Sequence, residues 1–330
     1  MSRYARQEVL AQVGASGQQR LRQAHALVIG AGALGCPVLQ YLAGAGLGRL
    51  TLVDPDVVDR SNLHRQPLYG EDGVGRPKAK VACEVLRNLN PEVALRPLAE
   101  RLDPGNVDAL IADADVVLDC ADSFAASYLL SDACLAARKP YVSASVLGLS
   151  GYVGGFCGGA PSLRAVFPEL PANTATCATA GVLGPVAGML GCLQAQMALA
   201  VLLGLRPSPL GQMVVADLAT YAFRSFRFDG AAEPAEAPIP FIARSALGSA
   251  DFVVELRGLE EAPVAVHPAA VRASVDTFRQ RGLTPGPGQR AVLCCRSGVR
   301  AWRAAQALRS YWSGPMALLA LGDEPGPEVA

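Results

Sequence analysis

Charge is scarce in this 330-residue chain. Charged residues make up 18% against 51% hydrophobic, and 29 Lys and Arg balance 29 Asp and Glu. A net charge of zero leaves no electrostatic footprint for nucleic acid or an anionic membrane surface. A mean hydropathy of +0.27 then requires a large core, or a further apolar surface buried between subunits. Histidine is nearly absent too: His25, His64 and His267 are the three, and none has a carboxylate partner close in sequence. The opening MSRYARQEVL lacks an apolar signal core, so the sequence gives no secretory address. The nine cysteines therefore read as reduced thiols, and the expected location is cytoplasmic.

Between Glu169 and Arg206 no residue is charged, and GVLGPVAGMLGCLQAQMALAVLLGL is long enough to cross a bilayer. Pro185, Gln194, Gln196, several glycines and the lack of an aromatic belt favour a covered helix instead, with membrane insertion the minority reading.

Apolar runs and helical patterns alternate along the chain. ALVIG (26–30) and DVVLDCAD (115–122) read as buried strands, and RLTLVD (49–54) and VALRPL as further strands. Helical patterns lie between them, and PYVSASVLGLSGYVGGF adds one or two strands. The expected fold is α/β, a doubly wound, Rossmann-like and mostly parallel sheet over 1–228. DGAAEPAEAPIP marks a linker at 229–240. A small C-terminal α/β domain over 241–330 has its own strands, DFVVELR and AVLCC. No internal repeat or low-complexity tract is visible.

Gly30, Gly32 and Gly35 form G-x-G-x-x-G between a strand and a helix, a turn that lets backbone N–H groups approach phosphate. Asp54 ends the next strand and suits a ribose hydroxyl. This pattern points to an adenine nucleotide but leaves NAD and ATP both open. The stretch that begins at Asp54, DPDVVDRSNLHRQ, runs on into residues that hydride transfer does not need. Asn62, Arg65, Gln66, Lys78 and Asp122 gather after strand ends, where cations can neutralise a triphosphate and a carboxylate can hold Mg²⁺.

RYARQ, VIGAGALGCPVLQYLAGAGLGRLTLVDPDVVDRSNLHRQ, GRPKAKVACEVLRNLNP, VLDCADS and TCATAGVLGPVAGMLG together resemble the MoeB/ThiF family, relatives of the ubiquitin-activating enzymes. The resemblance spans roughly residues 3 to 227. It implies ATP-dependent adenylation of the C-terminal Gly-Gly carboxylate of a small ubiquitin-like sulfur carrier. By position it implies Asp54 on the ribose, with Asp56 beside it among the nucleotide-binding residues. It likewise implies Asn62, Arg65 and Lys78 on the phosphates, Asp122 on Mg²⁺, and Arg6 reaching into the other subunit of a homodimer. Cys177, in TCATAG at the head of the long apolar segment, would join covalently to the activated carrier; small-residue packing at a helix start is the competing reading. Many family members hold a structural zinc with two C-x-x-C pairs. No C-x-x-C occurs here, so no zinc site is expected. Ser123 also departs from the commoner asparagine.

VLCCRSGVRAW resembles the active loop of rhodaneses, C-R-S-G-x-R between strand and helix. It implies a persulfide on Cys295, an anion-binding nest of N–H groups, and Arg296 and Arg300 holding a thiolate. Cys294 should point the other way and be buried. An inactive, degenerate domain is the competing reading: the domain is short, VVELRG stands where an Asp-containing strand is usual, and the tail lacks the closing pattern. The expected function is adenylation of the carrier followed by sulfur transfer to a thiocarboxylate, with thiosulfate or a cysteine desulfurase persulfide as donor. An NAD-dependent oxidoreductase and a non-catalytic carrier-binding scaffold are the alternatives.

Overall fold

A computed structural model of the chain describes residues 2–169 and 181–322. The first large element is an eight-stranded sheet in the order β3-β2-β1-β4-β5-β6-β7-β8. Its parallel half comprises β1 (His25–Ile29), β2 (Arg49–Val53), β3 (Ala94–Leu98), β4 (Val116–Asp119) and β5 (Pro140–Leu147). β6 (Ser150–Cys157), β7 (Gln212–Asp217) and β8 (Ala222–Arg227) extend it antiparallel. The long run after Lys139 is thus two strands folded back on each other.

All five residues of β1 are buried, as the unbroken apolar run requires of a strand covered on both faces. The helices that cover the sheet include α1 (Ala5–Glu8), α2 (Gly14–Gln23), α3 (Gly35–Gly44), α4 (Lys78–Leu89), α5 (Val107–Ile111), α6 (Phe124–Ala136), α7 (Leu163–Val166) and α8 (Gly184–Leu203). The α2 segment GASGQQRLRQ carries one large apolar residue, Leu21, so no periodicity announces the helix; it is held by burying Leu21, Gly17 and Gln18.

α8 is the described helix long and apolar enough to cross a membrane, and half of it is buried inside the protein. Its one polar group in the core explains how it docks. The fully buried Gln194 amide donates to the Asp119 carbonyl (2.7 Å) and the Val142 carbonyl (3.0 Å) and accepts from Cys120 Sγ (3.3 Å). Gln194 therefore ties α8 across β4 and β5 with its polar capacity used.

A second sheet, all parallel and in the order β10-β9-β11-β12, is built from β9 (Phe252–Glu255), β10 (Val271–Arg272), β11 (Ala291–Cys295) and β12 (Met316–Ala320). α9 (Val275–Arg279) and α10 (Val299–Arg309) pack on it around Phe278, Leu293 and Leu308. The chain is thus a doubly wound, mostly parallel α/β sheet with a small α/β unit after it.

Candidate active site

In the large sheet the strand order reverses between β1 and β4, the switch point where open α/β sheets bind ligands. The glycine turn sits there. At Gly30 φ is +96°, and a Cβ would lie 2.7 Å from the Cys120 carbonyl oxygen at the end of β4. At Gly35 a Cβ would lie 2.1 Å from the Gly30 carbonyl oxygen. Packing demands glycine at both. Gly32 differs: its φ is not left-handed, and a Cβ would meet Gln66 Nε2 at 3.7 Å, an ordinary contact. Among the described residues nothing requires glycine at 32, so its missing side chain leaves the backbone open to a ligand.

Side chains fix the residue between. Ala31 N–H donates to Asp54 Oδ2 (2.6 Å), and the Ala31 carbonyl accepts from Tyr69 Oη (2.8 Å). Asp54 Oδ1 accepts from Asp56 N–H (2.8 Å). Each carboxylate oxygen keeps a second lone pair, so Asp54 can brace the turn and still accept from a hydroxyl. Burial pushes the Asp54 carboxyl up, while the Lys78 ammonium and the two N–H donors pull it down.

Lys78 begins α4 directly after Pro77. Its Nζ donates to Asp56 Oδ2 at 2.8 Å, and its N–H donates to the Asp56 carbonyl at 2.9 Å. The lysine side chain is 6% exposed and the aspartate 64%, so this is a buried cation pinned to a solvated anion that a ligand can displace. Gln66 is buried against the turn, and its Oε1 has no hydrogen-bond partner among the described residues. An orphaned buried acceptor of this kind costs about 1–3 kcal/mol unless something fills it.

Asn62 and Arg65 lie on the 3-10 turn Arg60–Asn62 and the loop after it. Asn62 Nδ2 donates to Ser61 Oγ (3.2 Å), and Arg65 Nη1 donates to the Ser61 carbonyl (3.0 Å) and lies 2.9 Å from His64 Nε2. The start of α8 seats this loop: a Cβ on Gly184 would come 2.8 Å from the His64 carbonyl oxygen and 3.2 Å from Arg65 Cα. Asp122 follows β4, next to the contact between Gly30 and Cys120; it is exposed and makes no described hydrogen bond or ion pair. The structure thus gathers Gly30, Gly32, Gly35, Asp54, Asp56, Gln66 and Lys78, with Asp122 at their edge.

Arg6 is not brought to this cluster. Tyr4, two residues earlier, accepts from Asn90 Nδ2 (2.9 Å), donates to Glu92 (3.0 Å) and packs on Gly46. Those residues lie past the C-terminal ends of α3 and α4, whereas the N-terminal ends of the same helices face the glycine turn. A ten-residue helix is about 15 Å long, and Arg6 stands exposed at its far end.

Cys177 lies outside the described residues. Cys295 ends β11, fully buried, and its Sγ accepts from Gly298 N–H (3.2 Å) and Ala301 N–H (3.4 Å). The nest of donors is therefore present. Arg300, however, is engaged: it grips the Glu261 carboxylate with both Nη atoms, Nη1 at 2.7 Å, and donates to the Leu256 carbonyl (3.0 Å). Burial pushes the Cys295 thiol up, and the Ala301 and Gly298 N–H groups and the Arg300 charge only partly offset it. The expected thiolate is thus opposed by desolvation, which the run of arginines in the sequence does not reveal. Cys294 is buried on the other face of the strand. Among the described residues no group of three His, Cys, Asp or Glu could hold a metal ion.

The ThiF family model matches residues 4–236. The chain belongs to the ThiF family. It is similar to the adenylyltransferase and sulfurtransferase MOCS3 of Bos taurus, 49% identical over 228 residues, which is 68% of this chain and 50% of the bovine protein. The SAMP-activating enzyme E1 of Haloferax volcanii is 40% identical over 227 residues, 68% of this chain and 84% of that one. This ThiF-family chain spans about half the length of the MOCS3 relatives it matches. A crystal structure of E. coli MccB shares the fold, with a TM-score of 0.63 and 23% identity over 71% of this chain and 74% of that chain.

Three residues of this ThiF-family site escaped the sequence reading. Tyr69 clamps the turn from 38 positions away. Asp119 is fully buried at the end of β4 and accepts from Ala121 N–H (3.1 Å), Tyr141 Oη (2.8 Å) and Ser143 Oγ (3.1 Å). Burial pushes its carboxyl up against those three donors. Gln194 is the third. A carboxylate inside an otherwise apolar strand was the one visible signal, in VVLDCAD.

Proposed function

We propose that this chain adenylates the C-terminal glycine of a small ubiquitin-like carrier ending in Gly-Gly and then converts it to a thiocarboxylate. The supporting observation is Gly32, a glycine with no packing reason among the described residues, beside the Gln66 amide whose Oε1 is orphaned, in a cluster where the buried Lys78 cation is paired only with the solvated Asp56. Nucleotide phosphates would lie along the turn, with the ribose at Asp54. Asn62, Arg65, Gln66 and Lys78 would line them. Asp122, an exposed carboxylate at a strand end, fits a phosphate-bound Mg²⁺, which supplies charge neutralisation.

A carrier carboxylate oxygen attacks the α-phosphorus of ATP. The bond to pyrophosphate breaks, leaving an acyl adenylate. Arg65 and Lys78 stabilise the charge that develops, and positioning supplies the rest. Cys177 would displace AMP from the acyl adenylate and hold the carrier as a thioester; the terminal sulfur of a Cys295 persulfide then attacks the acyl carbon and the Cys177 thiol leaves. A thiol, for which Cys177 is the candidate, cleaves the sulfur–sulfur bond; thiocarboxylate departs and a disulfide to Cys295 remains for an external thiol to reduce. Thiosulfate or a desulfurase persulfide would recharge Cys295.

Residues 1–228 would form the adenylation domain, 229–240 the linker and 241–330 the rhodanese-like domain. In a cytoplasmic homodimer, Arg6 would complete the partner's site, consistent with its distance from its own. His25 gives the NAD-dependent reading no support, since its ring is buried between Thr51 Oγ1 (2.8 Å) and the Asp113 carbonyl (3.0 Å). The test is ATP–pyrophosphate exchange in the presence of candidate carriers, followed by intact mass of the carrier after ATP, Mg²⁺ and thiosulfate. Sulfur replacing one oxygen is the expected outcome. Failure of exchange with every carrier would overturn the reading.

A further inference from the structure

The segment between the two sheets has the composition of a loose tether, yet it is clipped at both ends. Glu233 accepts from Ser162 N–H (2.7 Å) and Ser162 Oγ (2.5 Å) at the start of α7. Glu236 pairs with Arg309 (2.9 Å) at the end of α10. Ile239 is buried, and Pro240 to Ile242 run beside β12, exchanging two backbone hydrogen bonds with Leu318 at 2.9 Å each.

The seam between the lobes is more specific still. Trp302 of α10 stacks on Tyr128 of α6, with ring centroids 6.4 Å apart and planes 30° from parallel. The Arg164 guanidinium lies 4.7 Å from the Tyr128 ring centroid and 5.6 Å from that of Trp302. Asp132 holds the same guanidinium with two bonds, at 2.7 and 2.9 Å. Arg164 is 5% exposed, so this cation–π stack is desolvated, the condition in which such contacts are strongest. Arg101 Nη1 adds a bond to the Leu321 carbonyl (2.9 Å).

The seam also touches both reaction centres. A Cβ on Gly298 would meet Phe241 at 2.9 Å and Ala125 Cβ at 3.1 Å. Gly298 donates its N–H to Cys295 Sγ, and Ala125 stands three residues after Asp122. The sulfur loop therefore packs directly on the helix that follows the adenylation strand.

We propose that Trp302 and Arg164 are positioning residues that lock the sulfur loop against the adenylation lobe, so that the two lobes act as one rigid body. The element that travels between the adenylate and Cys295 is the carrier's C-terminal tail, not the C-terminal lobe. A lobe swinging on a twelve-residue tether would gain nothing from a buried cation stack or a clipped linker. A fixed loop instead presents sulfur at one constant effective concentration. This rests on the proposed adenylation and sulfur transfer.

The test uses the full chain and three rates: ATP–pyrophosphate exchange, sulfur transfer from thiosulfate to cyanide, and thiocarboxylate formation on a Gly-Gly carrier that supports exchange. Trp302→Ala and Arg164→Leu weaken the seam from opposite sides. Each should slow thiocarboxylate formation tenfold or more and leave the two partial reactions within twofold of wild type. Trp302→Phe, which keeps a stacking ring, should retain at least half the coupled rate. An unchanged or faster coupled rate in the alanine variant would mean that the lobes must separate to work, and overturns the proposal. So does an equal fall in all three rates, the mark of a merely structural role. Small-angle scattering tests the docking without any carrier: one compact species in wild type and an expanded one in both seam variants are expected. An expanded wild type overturns the rigid body even if the functional reading stands, whereas wild type without exchange but compact overturns only that reading.

Discussion

Replacing Gly32 and Gly35 separately by alanine isolates two uses of glycine within one turn. At Gly35 the new Cβ would sit 2.1 Å from the Gly30 carbonyl oxygen, so the turn must open by about an ångström or more. Neither atom is the end of a flexible side chain. Overpacking of this kind costs about 1–3 kcal/mol, and a lobe of this size loses about 2–4 °C of Tm per kcal/mol. Gly35→Ala should therefore melt about 2–12 °C lower without nucleotide. At Gly32 the Cβ finds an ordinary contact, so Gly32→Ala should stay within about 0.5 kcal/mol of wild type. The order should reverse when ATP is added. Ligand at a hundred times its Kd stabilises by about 2.7 kcal/mol, or about 5–11 °C here. Gly32→Ala should lose most of that shift because its methyl occupies the approach to the backbone. Differential scanning fluorimetry with and without ATP and Mg²⁺ reads both effects. A full ATP shift in Gly32→Ala, or a wild-type melt in Gly35→Ala, would refute the division of roles.

Other perturbations give equally definite outcomes. Gln194→Leu leaves two buried carbonyls and a thiol without their partner and should cost about 2–4 kcal/mol by chemical denaturation; a loss below about 1 kcal/mol would mean that α8 docks by apolar contact alone. Asp251 is held below the ordinary carboxylate range by Arg290, which it binds at 2.6 and 3.0 Å, and also by the Gly248 N–H. A depressed native value means that this contribution is complete at neutral pH and is lost as pH falls through that value. Asp251→Asn should thus lower Tm at pH 7, by the equivalent of about 1–2 kcal/mol, and the gap should close toward pH 3; a gap constant with pH contradicts the assignment. Because burial pushes the Cys295 thiol up from its ordinary 9.0, its alkylation by iodoacetamide should keep accelerating above pH 9. A plateau below pH 8, read by peptide mass spectrometry, would show a thiolate already formed.

The central strands β1 and β11 were legible because their burial is written as apolar runs: all five residues of each are buried. The glycine turn and Asp54 were legible because a strand–turn–helix and a strand end place them by order alone, and Lys78 because Pro77 marks the start of its helix. Tyr69, Asp119 and Gln194 were not, since each acts through partners brought close by the sheet rather than by the chain. Gln194 in particular reads as a polar flaw in an apolar helix and proves to be its anchor. α2 was missed because it is held by a few buried small and polar residues beside Leu21, with no repeating stripe. The sulfur loop shows the converse: its arginines are plain in the sequence, but Glu261, 39 residues from Arg300, claims one of them.

The two peptide units that flank Ala31 are both held, one through the Ala31 N–H by Asp54 and the other through the Ala31 carbonyl by Tyr69. Their shape is settled when the protein folds, so an incoming anion meets a rigid mould and little ordering entropy is left to lose on capture. Recognition there should look alike in calorimetry for any diphosphate-bearing nucleotide, and discrimination among bases must come from elsewhere in the pocket.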